Sequence, residues 1–284
     1  MKPSRFAYLR PTTIDEVTSC LASNEGAKVV AGGQSLIAMM NFRLAAPPVL
    51  VDIARVEGLN EIRVLDGHLR IGAAVTQRTA ELDELVATSC GLIPKALAHV
   101  GHVQIRNRGT VCGSVAHADP ASELPAVAVA VDAQIRVTGR AGARTIEAGQ
   151  FFEAPYWTVL ADDEFVTAID FPVDPPGTLS AVAEYARRSG DFALAGVAMR
   201  VTPGGEPARQ VAVAAFGVGG TPLRLVETER ALGAGCTRSE LQDAIRDDVP
   251  NPTEDLQGSG EFRRHLLVTM IERAARQCEI EVQG

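Results

Sequence analysis

No two of the five cysteines in this 284-residue chain stand close enough in sequence to grip a metal together. Cys20, Cys90, Cys112, Cys236 and Cys278 are scattered, and C-x-x-C spacing is absent. That argues against a zinc ribbon or an iron–sulfur cluster built by this chain alone. An odd cysteine count fits a reducing cytoplasm, with most thiols buried as small hydrophobes. Positive charge is also short: 27 Lys and Arg face 35 Asp and Glu, a net charge of −8. A nucleic-acid partner is therefore disfavoured, because phosphate backbones are held by excess cations. Long apolar runs are missing. Leu124 to Val131 is the best, well short of the roughly 18 residues a membrane span needs. The opening Met-Lys-Pro-Ser-Arg-Phe runs into Arg10 and Pro11 without an apolar stretch, so no secretory signal is expected. Aromatics make up only 5% of the chain, and none of the three Tyr or the one Trp sits in a recognisable catalytic motif.

What is present reads as a globular protein of one large domain or two or three modest ones, 46% hydrophobic and 22% charged. Thr13 and Glu16 have capping-box spacing, and Ile14, Val17 and Leu21 follow on one helical face. Lys28 to Ala31 and Val49 to Ile53 read as strands around a short helix opened by Ser35, a small β-α-β-like unit. Ile62 to Leu65 and His68 to Ala74 read as a hairpin across Asp66-Gly67. Thr76 to Val86 is expected to be one helix with Leu82 and Leu85 inward, and Leu92 to Val100 another. Leu124 to Val131 reads as a buried helix. Strands follow at Gln134 to Thr138, Arg144 to Ile146 and Phe165 to Phe171. Asp174-Pro175-Pro176-Gly177 is the clearest boundary. Beyond it, Ala193 to Val201 and Gln210 to Val218 read as adjacent strands around a Pro203-Gly204-Gly205 turn. Helices then run over Pro222 to Leu232, Ser239 to Asp247 and Glu261 to Cys278, the last with Phe262, Leu266, Met270 and Ala274 in one stripe.

Two glycine loops carry the functional signal. One is Val-Val-Ala-Gly-Gly-Gln-Ser-Leu at 29–36, an apolar strand entering a Gly-Gly turn and a helix start. Backbone N–H groups at such a turn carry partial positive charge, and residues without Cβ let a phosphate approach. The pattern is not G-x-G-x-x-G, and no acidic residue stands at the later spacing a nicotinamide site needs. The other loop, 109–123, holds the hydroxyls of Thr110 and Ser114, the open backbone of Gly113, and Glu123, a carboxylate suited to a ribose hydroxyl. His117 and Asp119 have ligand spacing, but two such groups without a third motif do not make a metal site. Asp119-Pro120 reads equally as a turn or helix start.

These loops resemble a known family. Ala31-Gly32-Gly33-Gln34-Ser35-Leu36 followed by Asn41-Phe42-Arg43 is similar to the first flavin loop of the FAD-binding medium subunit of molybdenum hydroxylases, a group that includes carbon monoxide, nicotine, caffeine and xanthine dehydrogenases. Arg106-Asn107-Arg108-Gly109-Thr110-Val111-Cys112-Gly113-Ser114 with Ala116-His117-Ala118-Asp119-Pro120 resembles its second loop. Arg187-Arg188-Ser189-Gly190-Asp191-Phe192-Ala193 and Glu261-Phe262-Arg263-Arg264-His265-Leu266 extend the likeness nearly end to end. Cys112 stands where many relatives have a glycine, and Gln34 where histidine is frequent.

The resemblance implies an α+β fold. An FAD domain of the vanillyl-alcohol-oxidase (PCMH) type would span 1–176, in subdomains of about 1–57 and 58–176. A small antiparallel sheet with helices would span 177–284. It also implies roles. Val30, Ala31, Gly32, Gly33, Gln34, Ser35 and Leu36 would cradle the pyrophosphate of a noncovalent FAD. Thr110, Gly113 and Ser114 would hold its other side, and Glu123 a sugar hydroxyl. Val100 and Val166 would lie near the rings or simply pack in the core, and Tyr185 would neighbour the flavin. Electrons would come from a large molybdenum-cofactor subunit, where the substrate is chosen and hydroxylated, through a small subunit with 2Fe-2S clusters, in a cytoplasmic dimer of heterotrimers. A self-contained flavin oxidoreductase and a cofactor-free scaffold are the alternatives. The scattered cysteines yield one expectation directly: the chain purified alone contains no iron, and stoichiometric iron in an elemental assay would overturn that division of labour.

Overall fold

The computed structural model describes residues 2–188, 190–204 and 209–283. Gly205 of the expected turn and Ser189 of the Arg187–Ala193 motif lie outside the described residues. Strand β1 (Ala7–Leu9), helix α1 (Ile14–Ser23), strand β2 (Lys28–Val30), helix α2 (Leu36–Asn41) and strand β3 (Val49–Asp52) build a three-stranded parallel sheet of order β1-β3-β2. Parallel neighbours need a crossover, and α1 and α2 supply the connections. The capping box forms at the start of α1: the Glu16 N–H donates to the Thr13 hydroxyl, and the Glu16 carboxylate accepts from the Thr13 N–H. β3 is central and buried at all four positions. β1, only three residues long, shows no period of its own and exists by pairing with β3.

A second sheet follows. β4 (Ile62–Leu65) and β5 (His68–Gly72) form the expected hairpin, with φ of 50° at Asp66 and 74° at Gly67, as the two-residue turn requires. Six helices come next: α3 (Gln77–Leu82), α4 (Glu84–Ser89), α5 (Leu92–Leu97), α6 (Val103–Arg106), α7 (Val111–His117) and α8 (Glu123–Ala130). The chain returns as β6 (Gln134–Gly139) and β7 (Gly142–Glu147), then a small hairpin of β8 (Phe152–Ala154) and β9 (Trp157–Thr158), then β10 (Phe165–Pro172). The sheet has order β4-β5-β10-β6-β7, antiparallel throughout. In its centre Asp170, 3% exposed, bridges Arg70 at 2.7 Å and Arg136 at 2.6 Å from the strands on either side. Their two cations hold its carboxyl below the usual range against the opposing effect of burial.

The expected helix over Thr76 to Val86 is two helices. Asp83 ends α3 and caps α4, its carboxylate accepting from the Val86 N–H at 3.1 Å. The break resets the helical phase, so Leu82 is 64% and Leu85 39% exposed, while Ala80 and Val86 are buried.

Beyond the 174–177 turn, β11 (Leu179–Tyr185), β12 (Ala195–Pro203), β13 (Arg209–Phe216) and β14 (Leu223–Arg224) form a four-stranded antiparallel sheet in sequence order. Helices α9 (Val226–Ala234), α10 (Arg238–Asp248) and α11 (Gly260–Gln277) follow. The helix expected from Pro222 begins later because Leu223 and Arg224 pair with Ala215 and Ala214. β11 carries no polar alternation to reveal it, since it is covered on both faces.

The third sheet is the filling of a sandwich. Ala181, Ala183, Val197, Met199 and Val213 pack with Leu267, Met270, Ile271 and Ala274 of α11 in one core. On the opposite face Val182, Ala198, Ala214 and Phe216 join the core of the N-terminal half. The element between the halves is α8, buried at every residue from Leu124 to Ala130. A helix apolar all round is stable only when covered all round, and α8 is covered by β12 and β13 on one side and by α7 and α5 on others. In α11 the expected stripe holds for Leu266, Met270 and Ala274. Phe262 is 40% exposed and meets Tyr185 edge-on, ring centres 6.5 Å apart.

Arg263 of α11 is 4% exposed. Its Nη1 donates to the carbonyls of Leu194 at 2.7 Å and Gly217 at 2.8 Å, and its Nη2 to Asp255 Oδ2 at 2.7 Å. The Gly217 N–H in turn donates to the Pro120 carbonyl at 2.8 Å, tying this knot to the second glycine loop. Removing the guanidinium strands two buried carbonyls. Arg263→Met is expected to cost about 3 kcal/mol, read as a lower urea midpoint at unchanged slope.

Candidate functional site

The two glycine loops meet backbone to backbone. β2 ends at Val30, buried with Met40 and Leu50. The chain then crosses the second loop so closely that a Cβ on Gly32 would stand 2.1 Å from the Arg108 carbonyl oxygen and 2.6 Å from Gly109 Cα. No side chain fits there. Gly33 follows in the left-handed region, φ +71°. A Cβ on Gly113 would lie 3.7 Å from the Ala31 Cβ, a second point where the loops touch.

Arg106 holds the second loop in place. Its guanidinium grips both oxygens of Glu81 at 2.9 and 3.1 Å and donates to the carbonyls of Val100 at 2.9 Å and Gly101 at 3.3 Å. The Gln77 N–H donates to the Gly109 carbonyl at 2.7 Å. Arg106 is visible in the motif, but no role could be read for it. Glu81 gives no sequence signal, since its partner lies 25 residues away and is brought to it by the fold.

Loop one offers bare donors. Among the described residues the amides of Gly33, Gln34, Ser35 and Leu36 find no protein acceptor; the first amide bonded at this turn is that of Ile37, to the Gly33 carbonyl at 3.1 Å. Ser35 makes no side-chain cap to α2. By contrast α1, α3, α4, α7, α10 and α11 are capped by Thr13, Thr76, Asp83, Thr110, Thr237 and Ser259. Gln34 and Ser35 are exposed beside these amides. Uncapped amides at a strand-to-helix turn suit the diphosphate of FAD.

Loop two is more nearly self-satisfied. Thr110 is 5% exposed; its hydroxyl accepts from the Gly113 N–H at 2.9 Å, and its carbonyl from the Ser114 N–H at 3.1 Å. The hydroxyl protons of Thr110 and Ser114 are what this side offers a ligand. Cys112 is buried in α7 and donates its S–H to the Ile71 carbonyl at 3.4 Å. Burial pushes its thiol far above the ordinary range, so the cysteine at a frequent glycine position is inert core.

The rest of the loop is wall. The Asp119 carboxylate accepts from the Ala121 N–H at 2.9 Å and the Tyr156 hydroxyl at 3.3 Å. The His117 ring packs on Tyr156 at 5.2 Å, and burial holds it below its usual value, hence neutral at pH 7. The turn reading of Asp119-Pro120 is the observed one. Among the described residues no group of three or more His, Cys, Asp or Glu could hold a metal ion.

The remaining candidates divide. Val166 lies on β10 at a bulge, 5% exposed in the N-terminal core. Val100 is partly buried against the same core, and Tyr185 is 38% exposed with its carbonyl accepting from the Leu194 N–H at 2.8 Å. Glu123 opens α8, where burial pushes its carboxyl up to about 8. His99, beside Val100, pairs with Glu184, beside Tyr185, at 3.4 Å. The sequence reading singled out neither. It also gave no role to Phe192, 67% exposed, in the loop whose Gly190 abuts the His102 ring.

Gly33→Asp would put a Cβ at φ +71°, 3.1 Å from Ile37 Cγ1, and set a carboxylate beside the bare amides. The purified variant is expected to be colourless; unchanged visible flavin absorbance would overturn the phosphate role of the loop.

Comparison with known proteins agrees with this geometry. Residues 4–174 match the family described as "FAD binding domain in molybdopterin dehydrogenase", and residues 180–278 the "CO dehydrogenase flavoprotein C-terminal domain". The nicotine 6-hydroxylase medium subunit of Paenarthrobacter nicotinovorans is 36% identical over 276 residues, 96% of this chain and 97% of that one. The structure of carbon monoxide dehydrogenase from Hydrogenophaga pseudoflava lacking the Mo-pyranopterin moiety superposes with a TM-score of 0.93 at 33% identity, over 98% of this chain and 99% of the other. Quinoline 2-oxidoreductase from Pseudomonas putida 86 gives a TM-score of 0.90 at 33% identity, over 98% of each chain. The chain belongs to the family of FAD-binding medium subunits of molybdenum hydroxylases.

Proposed function

We propose that this chain carries electrons out of a heteromeric molybdenum hydroxylase, holding FAD noncovalently while a large molybdenum-cofactor subunit hydroxylates the substrate and a small 2Fe-2S subunit relays electrons to it. The observation that carries the reading is the backbone contact of the two glycine loops beside four unbonded amides at the start of α2. FAD, when bound, supplies a carrier that takes electrons singly and passes them to an external acceptor.

The chain's own residues bind and orient. The amides of 33–36, with Gln34 and Ser35 alongside, hold the pyrophosphate, and Val30 to Gly32 set their direction. Thr110 and Ser114 donate from the facing loop, Gly113 lets it approach, and Glu123 accepts from a sugar hydroxyl. Val100 and Tyr185 flank the rings, while Val166 supports them from the core. No general acid or base is assigned. The halves divide at 176/177, between β10 and β11, with the first half split again near residue 57, after the parallel sheet.

Partner clusters are supported by the scattered cysteines, four of which are buried. Several relatives are named as medium subunits or chains. No helix is long and apolar enough to cross a membrane among the described residues. The reading places the assembly in the cytoplasm as a dimer of heterotrimers. Mild affinity purification from the native host, with absorbance and mass spectrometry, tests it. Flavin together with molybdenum-containing and 2Fe-2S subunits is expected. A yellow chain that comes out alone would overturn the partners, and a colourless one the cofactor.

A further inference from the structure

The strands of the first sheet run parallel in the order β1-β3-β2, so their carboxyl ends share one edge. Ligands of parallel α/β sheets sit outside that edge, and loop one leaves it at the end of β2. Arg10 is the first residue past β1, and Asp52 is the last of β3. Asp52 is in register with Val30, whose carbonyl accepts from the Ile53 N–H at 3.2 Å. Arg10 Nε stands 3.7 Å from Asp52 Oδ2, beyond hydrogen-bond reach. Asp52 is already occupied: its Oδ2 accepts from the Tyr8 hydroxyl and its Oδ1 from the Ala54 N–H at 2.9 Å. Attraction therefore draws the guanidinium toward the central strand without using its donors. Among the described residues Arg10 makes no side-chain hydrogen bond, and its side chain is 45% exposed. Neighbouring strands lie about 4.8 Å apart, so Arg10 leans to within roughly one strand spacing of the strand that opens loop one. The charges of Arg10 and of Arg108, whose carbonyl meets Gly32, both act on the Tyr8 hydroxyl.

We propose that Arg10 is a further cofactor-binding residue whose guanidinium pairs with the diphosphate of FAD, and that Tyr8 is the positioning residue that keeps its donors free. The inference rests on loop one holding that diphosphate. Residues 29–36 contain no charged side chain, and neither do residues 109–114. The bare amides supply only partial positive charge, whereas each phosphate of FAD carries a full negative one. The compensating cation therefore comes from a neighbouring segment. A planar guanidinium meets phosphate oxygens with paired donors. Asp52 holds Arg10 back only weakly, because Tyr8 and Ala54 already satisfy both of its oxygens.

The test uses the protein as isolated by mild affinity purification and stripped of flavin. FAD is the titrant, flavin fluorescence the readout, and sodium chloride is stepped from low to high. Wild-type affinity is expected to fall as salt screens the pair. Arg10→Gln is expected to weaken binding roughly tenfold at low salt and to flatten the salt dependence. Arg10→Lys keeps the charge, so it restores most of the salt dependence without the paired donors. Tyr8→Phe hands an Asp52 oxygen to Arg10, so it weakens FAD in the wild-type background and not beside Arg10→Gln. A merely loosened fold would shift the Kd alike at every salt and would stack the two substitutions additively. Wild-type affinity and salt dependence in Arg10→Gln overturn the inference alone and leave the glycine-loop reading standing. A Tyr8→Phe penalty that persists beside Arg10→Gln overturns the role of Tyr8. Absence of FAD binding by the wild-type protein overturns both the inference and the cofactor reading beneath it.

Discussion

Gly32 lying on the Arg108 carbonyl is the contact on which the site depends. Two segments some 75 residues apart touch there through main chain, at a distance that excludes any Cβ. Main-chain contact fixes direction as well as distance, so the amides after Gly33 point where the helix start places them rather than where side-chain rotamers allow. Everything around the contact keeps it still: Arg106 on Glu81 and the Val100 carbonyl, Gln77 on the Gly109 carbonyl, and Thr110 capping α7. The second loop spends its polar groups on itself. The first leaves its amides open.

The C-terminal half is fastened to this frame by core rather than by a linker. α8 is apolar on every side because a sheet covers one flank and helices cover others. Val182, Ala198, Ala214 and Phe216 belong to the N-terminal core although they follow the 174–177 turn. Arg263 adds the polar counterpart, reaching the Gly217 carbonyl, whose own N–H reaches Pro120. A shift of one half against the other would therefore disturb the second loop directly.

Charge is distributed to match. His117 is kept neutral by burial at the loop wall, and Asp119 is spent on a turn and on Tyr156. At the seam between the halves Glu184 pairs with His99, while its other oxygen finds no donor among the described residues. That pair stands beside Val100 and Tyr185 in sequence and away from the central sheet, where Asp170 is matched by two arginines.

Local chemistry made much of this legible from residues alone. The Thr13 box, the Asp66-Gly67 turn, the all-apolar α8 and the glycine loops each write a short-range physical requirement into adjacent positions. A bare strand–Gly-Gly–helix start signals an anion site because its donors are backbone groups of neighbouring residues. What the fold decided is long-range. Leu82 and Leu85 face solvent because Asp83 caps a new helix, a cap that competes with a continuous apolar stripe on nearly equal terms. β1, β11 and β14 exist only through their partners. Glu81 with Arg106, and His99 with Glu184, carry no mark in sequence, because an ion pair is defined by a distance and chain order does not encode that distance. The sequence by itself determined the two glycine loops and the kind of protein; only the tertiary structure decided which charges stand beside them.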